Sequence, residues 1–173
     1  MYAPVISETK DTEGYRRIFT CQKGETFIIR PADKRDYGLI LNMYDRFEPK
    51  ESAQGLPPAD PERRQSLVHK ILDESLNVIS ETDGFVAGHA CLIDIDPGVR
   101  AELVIVIHQD WQNCGLGSAM LSLLFDLARQ RGYHKIWLTV DASNRRAISI
   151  YRKQGFAFVG PFDSEREMEL ILR

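Results

Sequence analysis

The chain has 173 residues, of which 43% are hydrophobic and 27% charged, so we expect one globular domain with its own core. Its net charge of −3 argues against binding to nucleic acid, because nucleic-acid-binding domains usually carry a basic surface. The sequence has no apolar stretch of membrane-spanning length, and its first residues lack the apolar core of a signal peptide.

The three cysteines, Cys21, Cys91 and Cys114, are odd in number and widely spaced. This pattern indicates a reducing, cytoplasmic environment rather than a disulfide framework. Neither the cysteines nor the four scattered histidines have the pairwise spacing of a zinc site, so no metal is expected.

The first half of the chain is predicted to contain two strands and then two helices. Residues 1–14 are polar and are expected to be loosely ordered, ahead of a single domain over residues 15–173. Two strands flank a turn at residues 22–24, and a helix with regularly spaced apolar residues then runs to Phe47. Four prolines and a glycine in residues 49–61 predict a loop, which a second helix follows.

The second half alternates strands and helices. Strands are predicted at residues 77–80, 85–93, 99–107, 136–140, 156–159 and 168–172, and helices at residues 116–131 and 147–154. The predicted order is strands, two helices, an antiparallel meander and then a β-α-β-α-β-β series. This order predicts an α/β fold with one mixed sheet.

Residues 101–118 place a strand, a glycine-containing loop and a helix start in direct succession. The run from Leu103 to Ile107 is apolar and mostly β-branched, which is typical of a buried strand. Gly115 and Gly117 follow where the next helix begins. A helix N-terminus offers unpaired N–H groups and the positive end of its dipole, and glycine lets an anion approach closely. The sequence therefore predicts a phosphate-binding turn, although its spacing fits neither the Rossmann nor the Walker motif.

Two motifs carry a family resemblance. The turn resembles the Q/R-x-x-G-x-G/A loop of the GNAT superfamily of acyl-CoA-dependent N-acyltransferases, with Gln112, Gly115 and Gly117 at its three specified positions. Downstream, the chain is similar to the family element N-x-x-A-x-x-x-Y-x-x-x-G-F and matches it at Asn144, Ala147, Tyr151, Gly155 and Phe156. Because both motifs occur in the family's order and spacing, the chain is identified as a member of this superfamily. The resemblance is specific over residues 85–160 and only topological before them.

The resemblance implies a single GNAT-type domain whose central, mostly antiparallel sheet splays open to admit acetyl-CoA. Val104, Ile105 and Val106 are expected to hold the pantetheine arm through their backbone, as an added strand would be held. The other expected cofactor-binding residues form the loop and the start of the second motif: Gln112, Asn113, Cys114, Gly115, Leu116, Gly117, Ser118 and Asn144. Asn144 is also a natural helix cap. Arg145 and Arg146 are candidates for the 3′-phosphate of CoA, and exposed arginines are equally expected there.

Acetyl transfer needs a proton acceptor for the ammonium and a proton donor for the thiolate. Tyr151 is the candidate acid, because a phenol with a pKa of about 10 can protonate a thiolate; alternatively, its ring only packs against the sheet. Glu102 is the candidate base, since some GNAT enzymes carry a carboxylate at this strand position. Strand alternation places it on the same face as Val104 and Val106. Two alternatives to Glu102 as the base remain open: Glu102 forms only a surface ion pair, or a water chain replaces a dedicated base.

Three other reactive side chains are assigned no catalytic role. Cys114 lies in the loop, but the family leaves its position unconstrained and no histidine motif accompanies it, so it is interpreted as a bystander. His108 and His134 are interpreted as surface residues at strand ends.

The predicted function is N-acetyl transfer from acetyl-CoA to an amine, either a small molecule or a lysine or N-terminal amine of a protein. The alternative is a non-catalytic acyl-CoA-binding or sensing domain, against which Tyr151 argues. In the family the acceptor is held by the first two helices and their loop, here residues 43–62. Asp94, Asp96 and Glu102 are expected to make the cleft mouth acidic, which favours a cationic amine. Acetyl-CoA and an amine are the expected partners, without nucleic acid or membrane, and a homodimer is left open.

Overall fold

The computed structural model describes residues 5–11, 14–52, 55–97 and 99–173. Its strands are β1 (Val5–Asp11), β2 (Gly14–Thr20), β3 (Thr26–Ala32), β4 (Ser75–Thr82), β5 (Phe85–Asp96), β6 (Arg100–Ile107), β7 (Lys135–Asp141), β8 (Ala157–Val159) and β9 (Glu165–Ile171). Its α-helices are α1 (Tyr37–Arg46), α2 (Pro61–Glu74), α3 (Leu116–Gln130) and α4 (Arg145–Lys153). The described strands form one sheet in the order β1-β2-β3-β4-β5-β6-β7-β9-β8.

The pairing of β6 with β7 opens the sheet in its middle. Among the described strands this pair is parallel, whereas the other neighbouring pairs are antiparallel. Its pairing covers only Arg100↔Lys135, Ala101↔Ile136 and Glu102↔Trp137. Beyond Glu102 the two strands have no paired residues, while β6 stays paired with β5 along its length. The expected mixed, mostly antiparallel sheet that splays at one strand pair is confirmed.

Helices pack on both faces of the sheet, and the alternation of β6 divides its side chains between them. Leu103 lies in the larger core, which α3 closes on one face. Val106 lies in the smaller core on the opposite face, with Tyr44 of α1 and Val68 of α2. By the same alternation, Glu102 and Val104 point to the face of α1 and α2, as predicted.

The predicted strands and helices are all present, with shifted ends, and β1 is an addition. The strand β1 was not predicted within residues 1–14; its backbone pairs with β2 from Val5↔Thr20 to Asp11↔Gly14. An edge strand held by backbone hydrogen bonds needs little apolar content, so its polar sequence gave no signal. Residues 1–4 and 12–13 lie outside the described part of the chain.

Candidate active site

A cleft of about 910 Å³ lies where β6 and β7 separate. Its floor is β6 from Glu102 to Ile107, and one wall is formed by the loop and helix start over residues 111–118. The opposite wall combines the end of β7 with α4, and the segment between α1 and α2 closes one end. Because β6 lacks a neighbour on this side beyond Glu102, its backbone is exposed to the cleft as a sheet edge.

The predicted phosphate-binding turn has the geometry of an anion site. Gly115 precedes the first residue of α3 with φ +88°, a left-handed conformation that suits glycine, and no side chain caps the helix. Gly117 and Ser118 of this first turn line the cleft, and no side chain in the described part of the chain caps their amides, as an anion site requires.

Gly117 is not required by the packing of the fold. A Cβ built on Gly117 would lie 3.8 Å from Ile105 Cδ1 and 3.8 Å from Ile107 Cγ1, which is ordinary contact, and its φ is not in the left-handed region. Gly117 lines the cleft, so a side chain here would project toward a ligand.

Hydrogen bonds hold this turn to its surroundings. Gln112 donates from Nε2 to the Ile107 carbonyl at 2.9 Å and accepts at Oε1 from Arg146 Nη1 at 3.1 Å. Asn144 Oδ1 accepts from the Ala147 N–H at 3.1 Å, so it caps α4 while it lines the cleft. Of the two arginines considered for phosphate, Arg146 lines the cleft, and its contact with Gln112 joins the two motifs.

Cys114 is buried within the turn. Its thiol donates to the Trp111 carbonyl at 3.0 Å, and burial raises its pKa, which suppresses the nucleophilic thiolate. This environment agrees with the interpretation of Cys114 as a bystander.

Tyr151 combines a packed ring with an available hydroxyl. The ring centroid lies 5.7 Å from that of Phe156, so the packing alternative holds for the ring. The residue lines the cleft, and its hydroxyl has no hydrogen-bond partner in the described part of the chain. Burial raises its pKa to about 12, so the phenol keeps its proton at neutral pH.

Glu102 lies at the narrow end of the cleft, at the last residue pair shared by β6 and β7. Burial raises the pKa of its carboxyl, and it forms no ion pair with the residues that the structure describes. The ion-pair alternative therefore has no support among them. Thr139 of β7 lines the facing wall.

The Acetyltransferase (GNAT) family model matches residues 40–156, more than half of the chain. The chain belongs to the GNAT acetyltransferase family. The GNAT domain of S. lividans PAT has the same fold, with a TM-score of 0.76 at 18% identity over 91% of this chain and 97% of that one. An acetyltransferase from Salmonella typhimurium, solved with its cofactor acetyl-CoA, matches with a TM-score of 0.66 at 24% identity over 85% and 94% of the two chains.

Relatives of this GNAT protein carry names with different acceptors. L-amino acid N-acetyltransferase AaaT of Escherichia coli (strain K12) is 29% identical over 77% of this chain and 84% of its own length. Spermidine N(1)-acetyltransferase of the same strain is 37% identical over 47% of this chain. Mycothiol acetyltransferase of Clavibacter sepedonicus is 35% identical over 47% of this chain. The matches to the last two span only 45% and 27% of those relatives.

One end of this cleft is formed by the segment between α1 and α2. Phe47, Glu51, Ser52 and Leu56 line the cleft from this segment. The far end of the segment is held by Arg64 of α2, which is only 6% exposed. Its Nη1 donates to the carbonyls of Pro58 at 2.7 Å and Ala59 at 2.9 Å. Its Nε donates to Asp45 Oδ1 at 2.8 Å.

Sequence reasoning missed Arg64, because an arginine on an amphipathic helix is normally solvent-exposed.

A buried polar chain fixes α1 and the end of α2 to the sheet. Asn77 Nδ2 donates to the carbonyls of Ile71 at 2.9 Å and Ser75 at 2.8 Å, so its Oδ1 is left to accept from His89 Nε2 at 2.9 Å. With that proton on Nε2, His89 Nδ1 accepts from the Tyr44 hydroxyl at 2.8 Å. Burial lowers the pKa of His89 to about 4, so the imidazole is neutral.

Two sequence interpretations need correction. Asp94 and Asp96 do not line the cleft; Asp94 instead accepts a hydrogen bond from the Tyr133 hydroxyl, because the hairpin turn carries both away from the opening. The carboxylates that line it with Glu102 are Glu51, Asp141 and Glu165. His108 is buried rather than exposed, since its ring packs against Trp111 with centroids 5.1 Å apart.

The described residues contain no group of three or more His, Cys, Asp or Glu side chains that could hold a metal ion. Among them, no helix has both the length and the apolar character needed to cross a membrane.

Proposed function

We propose that this protein is an N-acetyltransferase that transfers the acetyl group of acetyl-CoA directly to an amine. The observation that carries the proposal is the Tyr151 hydroxyl, unpaired among the described residues and protonated, in the cleft that the anion-binding turn also lines. A domain that only binds acyl-CoA does not need a proton donor there. Acetyl-CoA supplies the acetyl group and leaves as the CoA thiol.

The residues present fit acetyl-CoA. The uncapped first turn of α3 provides amides for the pyrophosphate, and Gly117 leaves room beside them. From Leu103 onward the edge of β6 is unpaired on the cleft side, so Val104, Ile105 and Val106 can hydrogen-bond the pantetheine arm. An N–H of the same edge would stabilise negative charge on the acetyl oxygen during transfer.

Proton movement is assigned to two side chains. Glu102 accepts a proton from the bound ammonium, and its raised pKa brings the carboxylate closer to that task. The free amine then attacks the acetyl carbon, a C–N bond forms, and the nitrogen releases its second proton to bulk water. As the C–S bond breaks, Tyr151 donates its proton to the departing sulfur. Bulk water restores both side chains to their starting protonation states.

The acceptor is proposed to be a cationic amine. Glu51, Glu102, Asp141 and Glu165 line the cleft, whereas the cations that line it, Arg146 and Lys153, come from α4. Both a small amine and a protein lysine fit this charge, and the acceptors in the relatives' names include spermidine and L-amino acids. We also propose a cytoplasmic location, because all three cysteines are free thiols.

The decisive experiment is a thiol-release assay across a panel of spermidine, L-amino acids, a peptide with an N-terminal alanine and a lysine-bearing peptide. Acetyl-CoA binding is measured in parallel by its effect on thermal unfolding. Turnover of at least one amine, lost in Tyr151→Phe, is expected. Tight binding without turnover of any acceptor would favour an acyl-CoA-binding domain instead.

A further inference from the structure

One glutamine joins the base of the cofactor turn to the start of the acceptor segment. Gln109 lies in the 3₁₀ turn Gln109–Trp111, between β6 and the predicted phosphate-binding loop. Its Nε2 donates to the Arg46 carbonyl at 3.1 Å, and its Oε1 accepts from the Glu48 N–H at 3.0 Å. Arg46 is the last residue of α1, so the glutamine satisfies a carbonyl that the helix leaves unpaired and an amide just beyond it.

The segment from residue 47 to residue 60, which we term the acceptor wall, is anchored at both ends. It contributes Phe47, Glu51, Ser52 and Leu56 to the cleft. Arg64 holds its far end through two carbonyls. Gln109 holds its near end through the bonds on either side of Phe47, where Lys50 Nζ also donates to the Phe47 carbonyl at 2.6 Å.

Gln109 itself does not line the cleft. An effect of this residue on acceptor binding must therefore be indirect.

We propose that Gln109 is a positioning residue that sets the place of the acceptor wall relative to the cofactor turn. The inference rests on the proposed function, since it assigns the wall to acceptor binding. A displacement of about 1 Å in a substrate-positioning group weakens its contacts with the bound acceptor, so an anchor outside the cleft matters. Because Gln109 precedes the turn by only two residues, the same side chain relates the positions of both substrates.

The test uses Gln109→Met, which keeps the side-chain length and removes both hydrogen bonds. Gln130→Met is the matched control, because Gln130 is exposed at the end of α3, away from the cleft. Hydrogen exchange is followed at the amides of Glu48, Glu51 and Gly55, with no substrate added. Exchange in Gln109→Met should be about 5- to 30-fold faster than in the wild type, and Gln130→Met should not differ.

Steady-state kinetics then separate positioning from a purely structural role. The acceptor is the amine of the panel that the wild type acetylates fastest. Gln109→Met should raise the KM for this acceptor about tenfold, which corresponds to about 1.4 kcal/mol. Its kcat and its KM for acetyl-CoA should stay within about twofold of the wild-type values. Unchanged exchange in the wall, faster exchange without a rise in acceptor KM, or a matching rise in the acetyl-CoA KM would each overturn the inference. Failure of the wild type to acetylate any amine would instead overturn the proposed function.

Discussion

The two sides of the cleft are built in opposite ways. On the proposed cofactor side, the edge of β6 and the first turn of α3 present backbone groups that have no strand partner or side-chain cap among the described residues. On the acceptor side, the polar side chains at the base of α1 and α2 are paired with one another, as in the chain from Tyr44 through His89 to Asn77. Backbone groups on the first side can therefore hydrogen-bond a ligand, whereas the polar side chains on the second side already bond one another.

This difference suggests how one fold serves many acceptors. A constant ligand can be recognised by backbone geometry, which tolerates changes in side chains as long as two glycines and a strand edge remain. A variable ligand needs side chains on a replaceable loop, positioned by a rigid base. We propose that in this protein the acceptor wall is that loop and the paired network is its base.

The largest effect is expected from removing the Tyr151 hydroxyl on the cofactor side. Tyr151→Phe keeps the ring packing on Phe156 and removes only the proton donor, so kcat should fall about 10²- to 10⁴-fold while acetyl-CoA still stabilises the protein. Tyr133→Phe is the control, because burial also raises the pKa of Tyr133 to about 12 but its hydroxyl bonds Asp94 outside the cleft. The kcat of both variants is measured by stopped-flow and steady-state assays of thiol release. Full activity in Tyr151→Phe would assign thiolate protonation to water.

The next prediction concerns the paired network of the acceptor side. The pKa of His89 is about 4 in the folded protein, below its unfolded value of about 6.5, so the unfolded chain binds more protons between these values. Stability should therefore be complete above pH 6.5 and fall as the pH drops toward 4, by about 3 kcal/mol at about 1.4 kcal/mol per pKa unit.

Urea unfolding at pH 7 and pH 4.5 measures this loss, with His89→Gln as the comparison because glutamine stays polar and does not titrate. The loss on acidification should be smaller in the variant. Equal losses in both proteins would assign the acid sensitivity to other groups.

A third prediction tests whether the turn on the cofactor side binds an anion. Gly117→Glu places a carboxylate at the second residue of α3, where the pyrophosphate is proposed to lie. Stabilisation by acetyl-CoA at 100 times its Kd, about 2.7 kcal/mol in the wild type, should disappear.

Gly38→Glu is the matched control, since it adds the same side chain at the second residue of α1 and meets nothing within 4 Å. The measurement is thermal unfolding with and without acetyl-CoA. A normal shift in Gly117→Glu would remove the turn from the binding site.

The smallest expected effect concerns Glu102, where the two sides of the cleft meet. Burial raises its pKa, so the wild-type rate should increase as the pH rises through a value above that of an ordinary glutamate. Glu102→Gln should lower kcat/KM about tenfold at neutral pH and approach the wild type at high pH, where solvent supplies free amine.

Glu169→Gln serves as the control, because Glu169 pairs with Lys135 at 3.1 Å and does not line the cleft. pH–rate profiles and melting temperatures are needed for all three proteins. A constant deficit at every pH, with lower stability, would indicate that Glu102 only orders the strand end.

The cofactor side was far easier to predict from the sequence than the acceptor side. Gln112, Gly115 and Gly117 lie within six residues, so their placement at one turn depends on local backbone geometry. The Asn144 cap on α4 is equally local. Arg64 and Gln109 act on segments to which no sequence pattern connects them, and each has the polar character expected of an ordinary surface residue.

The sequence by itself predicted the strands and helices after the first 14 residues, the turn proposed to bind an anion and the tyrosine proposed as proton donor. Each of these depends on hydrophobic period, glycine conformation or residue spacing, which are properties of short stretches. Only the tertiary structure decided which carboxylates face the cleft, that His89 is neutral, and that Gln109 and Arg64 hold the acceptor wall. Those outcomes depend on which distant segments pack together and which polar groups lose water, so no local pattern specifies them.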